Sequence, residues 1–160
     1  MVPKITKEEG DKKVGQKVNP IGFRLGVIRP WDSTWFASKK NYAEFLKTDE
    51  LIRKYIEKKF STAGIAKVEI NRAAKILWVN VHTSRPGIVI GKKGSGAEAL
   101  KEELTKIVKC SKGELNLNIY EVKKAEMSAV LVADSIKQQL EKRVSFRRAM
   151  KKALAATMKA

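Results

Sequence analysis

Residues 86–100 read Pro-Gly-Ile-Val-Ile-Gly-Lys-Lys-Gly-Ser-Gly-Ala-Glu-Ala-Leu, and this stretch constrains the fold more than any other. Gly91 and Gly94 bracket Lys92 and Lys93 between a short apolar run and a segment patterned as a helix. Glycine adopts positive φ without steric cost and lets backbone come close to a ligand. The chain must therefore turn sharply here and resume as a helix over about 95–109, with Leu100, Leu104, Ile107 and Val108 as its buried stripe. Ser95 is its expected N-cap, with Glu98 three residues on as the partner in a capping box. The adjacent lysines place positive charge where the backbone can approach an anion.

The surrounding pattern fixes what this turn belongs to. Asn41 to Phe60 has helical spacing, and Asp49 is placed to cap a second helical piece, which Gly64 ends. Val68 and Ile70 alternate with polar neighbours, and residues 76–81 are apolar and β-branched, so Arg72-Ala73-Ala74-Lys75 joins two strands as a hairpin. Ile88–Ile90 forms a short apolar turn, and Leu115, Leu117 and Ile119 alternate as a last strand. The order is helix, strand, strand, short helix, glycine turn, helix, strand. This predicts an α+β fold, a three-stranded sheet with helices on one face. From Met127 onward the pattern is helical. Ala129, Ala133, Ile136, Leu140 and Val144 share one face, then Phe146, Met150, Ala153, Leu154 and Met158 share another, so a bend is expected near Val144–Phe146.

Charge points to the partner. Lys+Arg is 34 and Asp+Glu 17, for a net charge of +17, and the excess is spread over both halves of the chain. Such a surface repels itself and attracts a polyanion, and nucleic acid is the partner it suits best. Arg143, Arg147, Arg148, Lys151 and Lys152 crowd one stretch, where residues 137–160 carry Glu141 as their one acidic side chain. Arginine suits bidentate phosphate recognition, so RNA contact is the favoured reading over a solvated face or a membrane-surface helix. Between Asn19 and Trp35, Arg24 and Arg29 lie among Phe23, Trp31 and Trp35, a mixture that suits stacking on bases. Each indole could equally anchor this loop on the core.

Other chemistries find little material. A Walker A loop fails, because Gly87 lies one residue too close to Gly91 and Lys93 stands where a hydroxyl is needed. A dinucleotide fingerprint drawn through Gly94, Gly96 and Ala99 lacks a strand directly before it. His82 is the one histidine and reads as a satisfied or edge-of-sheet residue, while Asp49–Glu50 and Glu102–Glu103 read as solvated helix positions. Cys110 is the one cysteine, excludes an internal disulfide and fits a structural role in a reducing compartment. No apolar run approaches a membrane span. No catalytic residue, metal site, cofactor or membrane partner is expected.

A Gly-x-x-Gly turn of this kind is the element with which KH domains clamp a nucleic-acid backbone. Longer motifs extend the likeness. Residues 15–26 (Gly-Gln-Lys-Val-Asn-Pro-Ile-Gly-Phe-Arg-Leu-Gly), 31–36, 82–94 and 140–151 together resemble the bacterial-type small-subunit ribosomal protein S-three family, from Gly15 to about Ala156. That resemblance implies a type-two KH domain and binding to small-subunit ribosomal RNA in the head, beside neighbouring ribosomal proteins. It also implies a place at the channel through which messenger RNA enters. It carries the turn Gly91, Lys92, Lys93 and Gly94, and it carries Arg147, Arg148 and Lys151 as the face toward the message. Arg24, Arg29 and Arg85 are expected as further RNA contacts, and Arg143 beside the message-facing set. The implied location is a ribosome of the bacterial cytoplasm, with an organellar ribosome as the alternative. A free-standing KH regulator or an assembly factor is the other reading.

The expected organisation is a basic arm at 1–18, a loop segment at 19–38, the KH domain at 39–126 and basic helices at 127–160. The family's second domain would follow, and the sequence stops at Ala160. Three stretches depart from the family pattern: the fourteen residues before Gly15, and eroded versions of family motifs at 71–75 and 124–129.

Overall fold

The computed structural model describes residues 15–73, 76–108 and 113–160, which divide into two compact units, one ending at Trp31 and one running from Asp32 to Ala160. Most of the expected arm, the 74–75 connection and Cys110 lie outside the described residues.

In the first unit the stretch expected as loop contains one short helix, α1 (Pro20–Arg24). Asn19 caps it: the side-chain oxygen accepts from the backbone N–H of Ile21 at 2.9 Å and of Gly22 at 3.1 Å. Pro20 at the first helical position loses nothing, since its missing N–H would have had no helical partner. The chain then closes on itself, with the Gly26 N–H donating to the Arg29 carbonyl at 3.0 Å. Gly26 sits at φ 80°, and a Cβ there would meet the Trp31 ring at 3.2 Å, so the indole lies on bare backbone. Trp31 thus belongs to this turn.

The second unit is built around a sheet. Strand β1 (Ser33–Thr34) leads into α2 (Lys39–Lys59), then β2 (Ile65–Ala73) and β3 (Ile76–Thr83). Next come α3 (Pro86–Ile90), a 3₁₀ turn at Lys92–Gly94, α4 (Ser95–Val108) and β4 (Leu115–Glu121). β2 and β3 are antiparallel, with Val68 opposite Val81 and Ile70 opposite Val79. β3 and β4 are parallel, with Leu77 opposite Leu115 and Val79 opposite Leu117. A parallel pair needs a crossover, which α3, the glycine turn and α4 supply across one face. Strand alternation sends Val68, Ile70, Leu77, Val79, Val81 and Leu115 to that face, where they bury against Ile52, Ile56, Leu100 and Leu104. The expected three strands are present, and β1 joins β2 in parallel as a two-residue fourth, in the order β1-β2-β3-β4.

Several local expectations are corrected. Asp49 caps nothing: α2 is one continuous helix and Asp49 is buried within it, 3% exposed. Nor is Asp49 a solvated carboxylate. Ser95 has helical dihedrals and is the first residue of α4, and its hydroxyl donates to the Lys92 carbonyl at 2.9 Å. His82 lies on β3, an interior strand, with its ring stacked on Tyr120 at 5.2 Å and Nε2 3.5 Å from Glu69.

The C-terminal helices are α5 (Ala129–Glu141) and α6 (Phe146–Lys159), broken at Lys142–Ser145 close to the expected bend. Their buried faces differ from those expected. α5 buries Leu131 while Ala129, Ala133 and Leu140 stay exposed, and α6 buries Ala149 while Phe146, Met150, Leu154 and Met158 face outward. A small side chain lets two helices come close, so the packed side of α6 carries its alanine and the large apolar side chains lie off that contact.

Candidate nucleic-acid interface

The glycine turn is shaped by two separate demands. Gly91 sits at φ 71° and Gly94 at φ 87°, a left-handed region in which Cβ is strained. Between them Lys93 also adopts left-handed dihedrals, φ 54° and ψ 24°. The second demand is proximity. A Cβ on Gly91 would stand 3.0 Å from the Gly96 nitrogen, and a Cβ on Gly96 would stand 2.8 Å from the Val89 carbonyl oxygen. The end of α3 and the start of α4 therefore touch backbone to backbone. Around Gly94 nothing lies within 4 Å of the Cβ position, so that residue is required by φ alone. The outcome is a turn whose tip presents Lys92 and Lys93, both exposed and without an acidic partner among the described residues.

Farther along α4 a contact ties it to α2. Tyr55 Oη donates to Glu103 Oε2 at 2.6 Å, and Lys59 Nζ pairs with the same carboxylate, tying α2 to α4. The hydrogen bond from Lys59, then that from Tyr55, holds the Glu103 carboxyl below the usual carboxylate range, and the same contact raises Lys59. Beside the first turn of α4 a shallow groove opens toward β4, lined by Trp78, Ala97, Glu98, Lys101, Asn116, Leu117 and Asn118. It offers amide and aromatic surface, which suits bases, with the Glu98 carboxylate opposing and Lys101 favouring a nearby phosphate.

A second cationic surface lies at the α5–α6 corner. Arg143 follows Lys142, the cap of α5, and sits at φ 60°. Arg147, Arg148, Lys151 and Lys152 follow on α6, all exposed and without a carboxylate partner among the described residues. The Arg147 guanidinium lies 5.8 Å from the Phe146 ring centre.

Arg85, Arg24 and Arg29 are the remaining expected contacts. Arg85 precedes α3 at the end opposite the glycine turn, and its guanidinium reaches the Thr62 carbonyl at 3.5 Å. Arg24 and Arg29 belong to the first unit, where Arg24 donates to the Pro20 carbonyl at 3.0 Å. The structure thus groups Gly91–Gly94 at one turn and Arg143–Lys152 at one corner, and Arg85 lines a cleft together with Gln138, Lys142 and Lys152 of that corner's helices.

Sequence reasoning missed the Asp49 centre. Asp49 Oδ2 accepts from Trp35 Nε1 at 2.7 Å and Ser33 Oγ at 3.0 Å, while Oδ1 takes Arg72 Nη2 at 2.5 Å. Arg53 donates to the Asp32 carbonyl at 3.0 Å, to Ser33 Oγ at 2.8 Å and to the Val68 carbonyl. This network holds β1 and Trp35 on α2 and β2, so Trp35 takes the anchoring role of its two readings. A mid-helix aspartate flanked by Thr48 and Glu50 gives no sign of burial in the sequence; the indole and arginine that meet it come from 14 and 23 residues away.

Comparison with known proteins agrees with this geometry. Residues 51–127 match the model of the KH domain, and they include the glycine turn, the groove and the sheet. The chain is 58% identical to small ribosomal subunit protein uS3 of Myxococcus xanthus over 146 residues, 91% of this chain and 64% of that protein. It is 54% identical to uS3 of Clostridium beijerinckii over 91% of this chain and 65% of the relative. For uS3 of Clostridium perfringens the identity is 52%, over 92% and 65%. Over this span the chain is similar to the uS3 proteins of these bacteria. It spans about two-thirds of the length of these relatives, somewhat under it in each case. Its α+β sheet, glycine turn and flanking helices are the type-two KH arrangement that the family resemblance implies.

Proposed function

We propose that this chain is a structural constituent of the small ribosomal subunit that binds ribosomal RNA through its KH domain, without catalysis of its own. The observation that carries the reading is the exposed Lys92–Lys93 tip, set on a backbone turn that glycine keeps open and that the close approach of α3 and α4 fixes. A phosphodiester backbone fits there, since it needs close backbone approach and unpaired positive charge together. Arg24, Arg29 and Arg85 add contacts to ribosomal RNA in the head, where neighbouring ribosomal proteins adjoin. The α5–α6 corner, with Arg143, Arg147, Arg148 and Lys151, faces the incoming message in the channel that the family resemblance implies. The location that follows is the ribosome of a bacterial cytoplasm, the relatives being bacterial proteins.

Sedimentation tests this. A tagged chain expressed in a bacterial host should co-sediment with small subunits and remain there through a high-salt wash. A chain found mainly unbound, at the top of the gradient, would instead be a free-standing regulator or an assembly factor.

A further inference from the structure

The described residues include two non-glycine residues with left-handed backbone dihedrals, Lys93 at φ 54° and Arg143 at φ 60°. Both are exposed cations. Lys93 lies inside the turn already assigned to RNA, whereas Arg143 has a different local cause. It occupies the residue after the cap of α5, with its N–H donating to the Leu140 carbonyl at 2.9 Å and the Val144 N–H donating to Gln139 at 3.0 Å. These two bonds are the Schellman closure of a helix, whose left-handed position is usually glycine and sometimes asparagine. Any other L-residue there crowds its Cβ against the following carbonyl.

Nothing within the fold compensates for placing arginine at this position. The guanidinium has no hydrogen bond or ion pair among the described residues, and the side chain is exposed. A cation does favour a helix C-terminus, but Lys142 already stands at the cap of α5. In sequence Lys142, Arg147 and Arg148 flank the position against a single carboxylate, Glu141, so like charge predominates and a further unpaired cation is unfavourable in the free protein.

We propose that Arg143 is a phosphate ligand for RNA held at the α5–α6 corner at the expense of fold stability, so that stability and RNA affinity oppose each other at this one residue. The proposal rests on the reading that this face meets RNA, and it names the ligand chemistry. The left-handed corner fixes where the guanidinium begins, and a planar five-donor group can then take a phosphodiester oxygen pair bidentately. Arg147, Arg148 and Lys151 lie on a regular helix and face no such conflict.

Arg143→Gly and Arg143→Lys separate the two contributions. Thermal unfolding of the full chain is followed at about 0.5 M salt, where the helix-terminus contribution is screened. Binding to a fluorescent, unstructured single-stranded RNA is measured across a salt series. Arg143→Gly should raise the unfolding midpoint by about 2–4 °C. The same variant should weaken RNA binding about five- to tenfold and flatten the salt slope by about 0.7. Arg143→Lys should leave the midpoint unchanged and keep most of the salt slope. Arg143→Gly that gains stability yet binds RNA like the parent would overturn the proposal. So would Arg143→Gly that loses stability, since the arginine would then be structural. A parent chain that binds no RNA at all would instead remove the underlying reading and this proposal with it.

Discussion

Asp49 and Gly96 show how much one atom decides here. The Asp49 carboxylate is 3% exposed and meets Arg72, Trp35 and Ser33 at once. Removing it leaves the Arg72 guanidinium, only 12% exposed in its side chain, without its counter-charge. Asp49→Ala should therefore destabilise the domain by about 3 kcal/mol, because an orphaned buried charge costs more than a pair contributes. Asp49→Asn, which keeps an acceptor for the indole, should cost less; equal losses in urea unfolding would mean that the charge is irrelevant. At Gly96 the conflict is steric. An added methyl would lie 2.8 Å and 2.9 Å from two carbonyl oxygens of α3, and backbone cannot swing aside as a side chain can. Gly96→Ala should cost about 2–3 kcal/mol, whereas Gly87→Ala, with open space around it, should cost little. Gly96 was visible in the sequence as a glycine. Its purpose was not, because contact between α3 and α4 exists only once both helices have formed.

Periodicity makes the long elements legible, and it fails where an element is short or its packed face is small. α2, α4 and the three main strands announce themselves through apolar spacing, and the glycine pair marks the turn between α3 and α4. β1 cannot be read this way. Its two residues are strand because Arg53 and Asp49, far along the chain, hold them against β2. On α5 and α6 the apolar spacing pointed to faces containing Leu140, Phe146 and Met150, while the side chains that are buried are Leu131 and Ala149. Since the turn is exposed and its lysines support no packing, Lys92→Asp with Lys93→Asp should reduce RNA affinity at least tenfold. Far-ultraviolet circular dichroism and the unfolding midpoint should stay those of the parent; an unfolded double variant would show that the turn is structural. For α6 the expected outcome differs by function. Arg147→Ala with Arg148→Ala should leave incorporation into small subunits largely intact yet slow translation through a stable hairpin in a reporter message. Loss of incorporation would assign those arginines to ribosomal RNA instead.

Across the whole molecule the governing quantity is charge. A net +17 on 160 residues, shared between both halves of the sequence, destabilises the isolated chain by self-repulsion and favours any state in which phosphate surrounds it. Ion pairs such as Lys59–Glu103 and Lys67–Glu69 sit within the folded framework, while among the described residues the cations of the glycine turn and the corner have no such partners. Carboxylates were thus spent on holding the framework, and the surplus was left for a ligand. If RNA engages the turn and the corner together, Lys92, Lys93, Arg143, Arg147, Arg148 and Lys151 release counterions in one event. For a single strand each contributes about 0.7 to the slope of log affinity against log salt, so the full chain should show a slope of about −4. Affinity should then fall a few hundredfold between about 50 and 200 mM salt. Removing the two turn lysines should reduce the slope by about 1.4 without abolishing binding, because the corner still holds the strand. A parent slope of about −1 would mean that one local contact carries the complex, and that the two surfaces do not act on the same RNA.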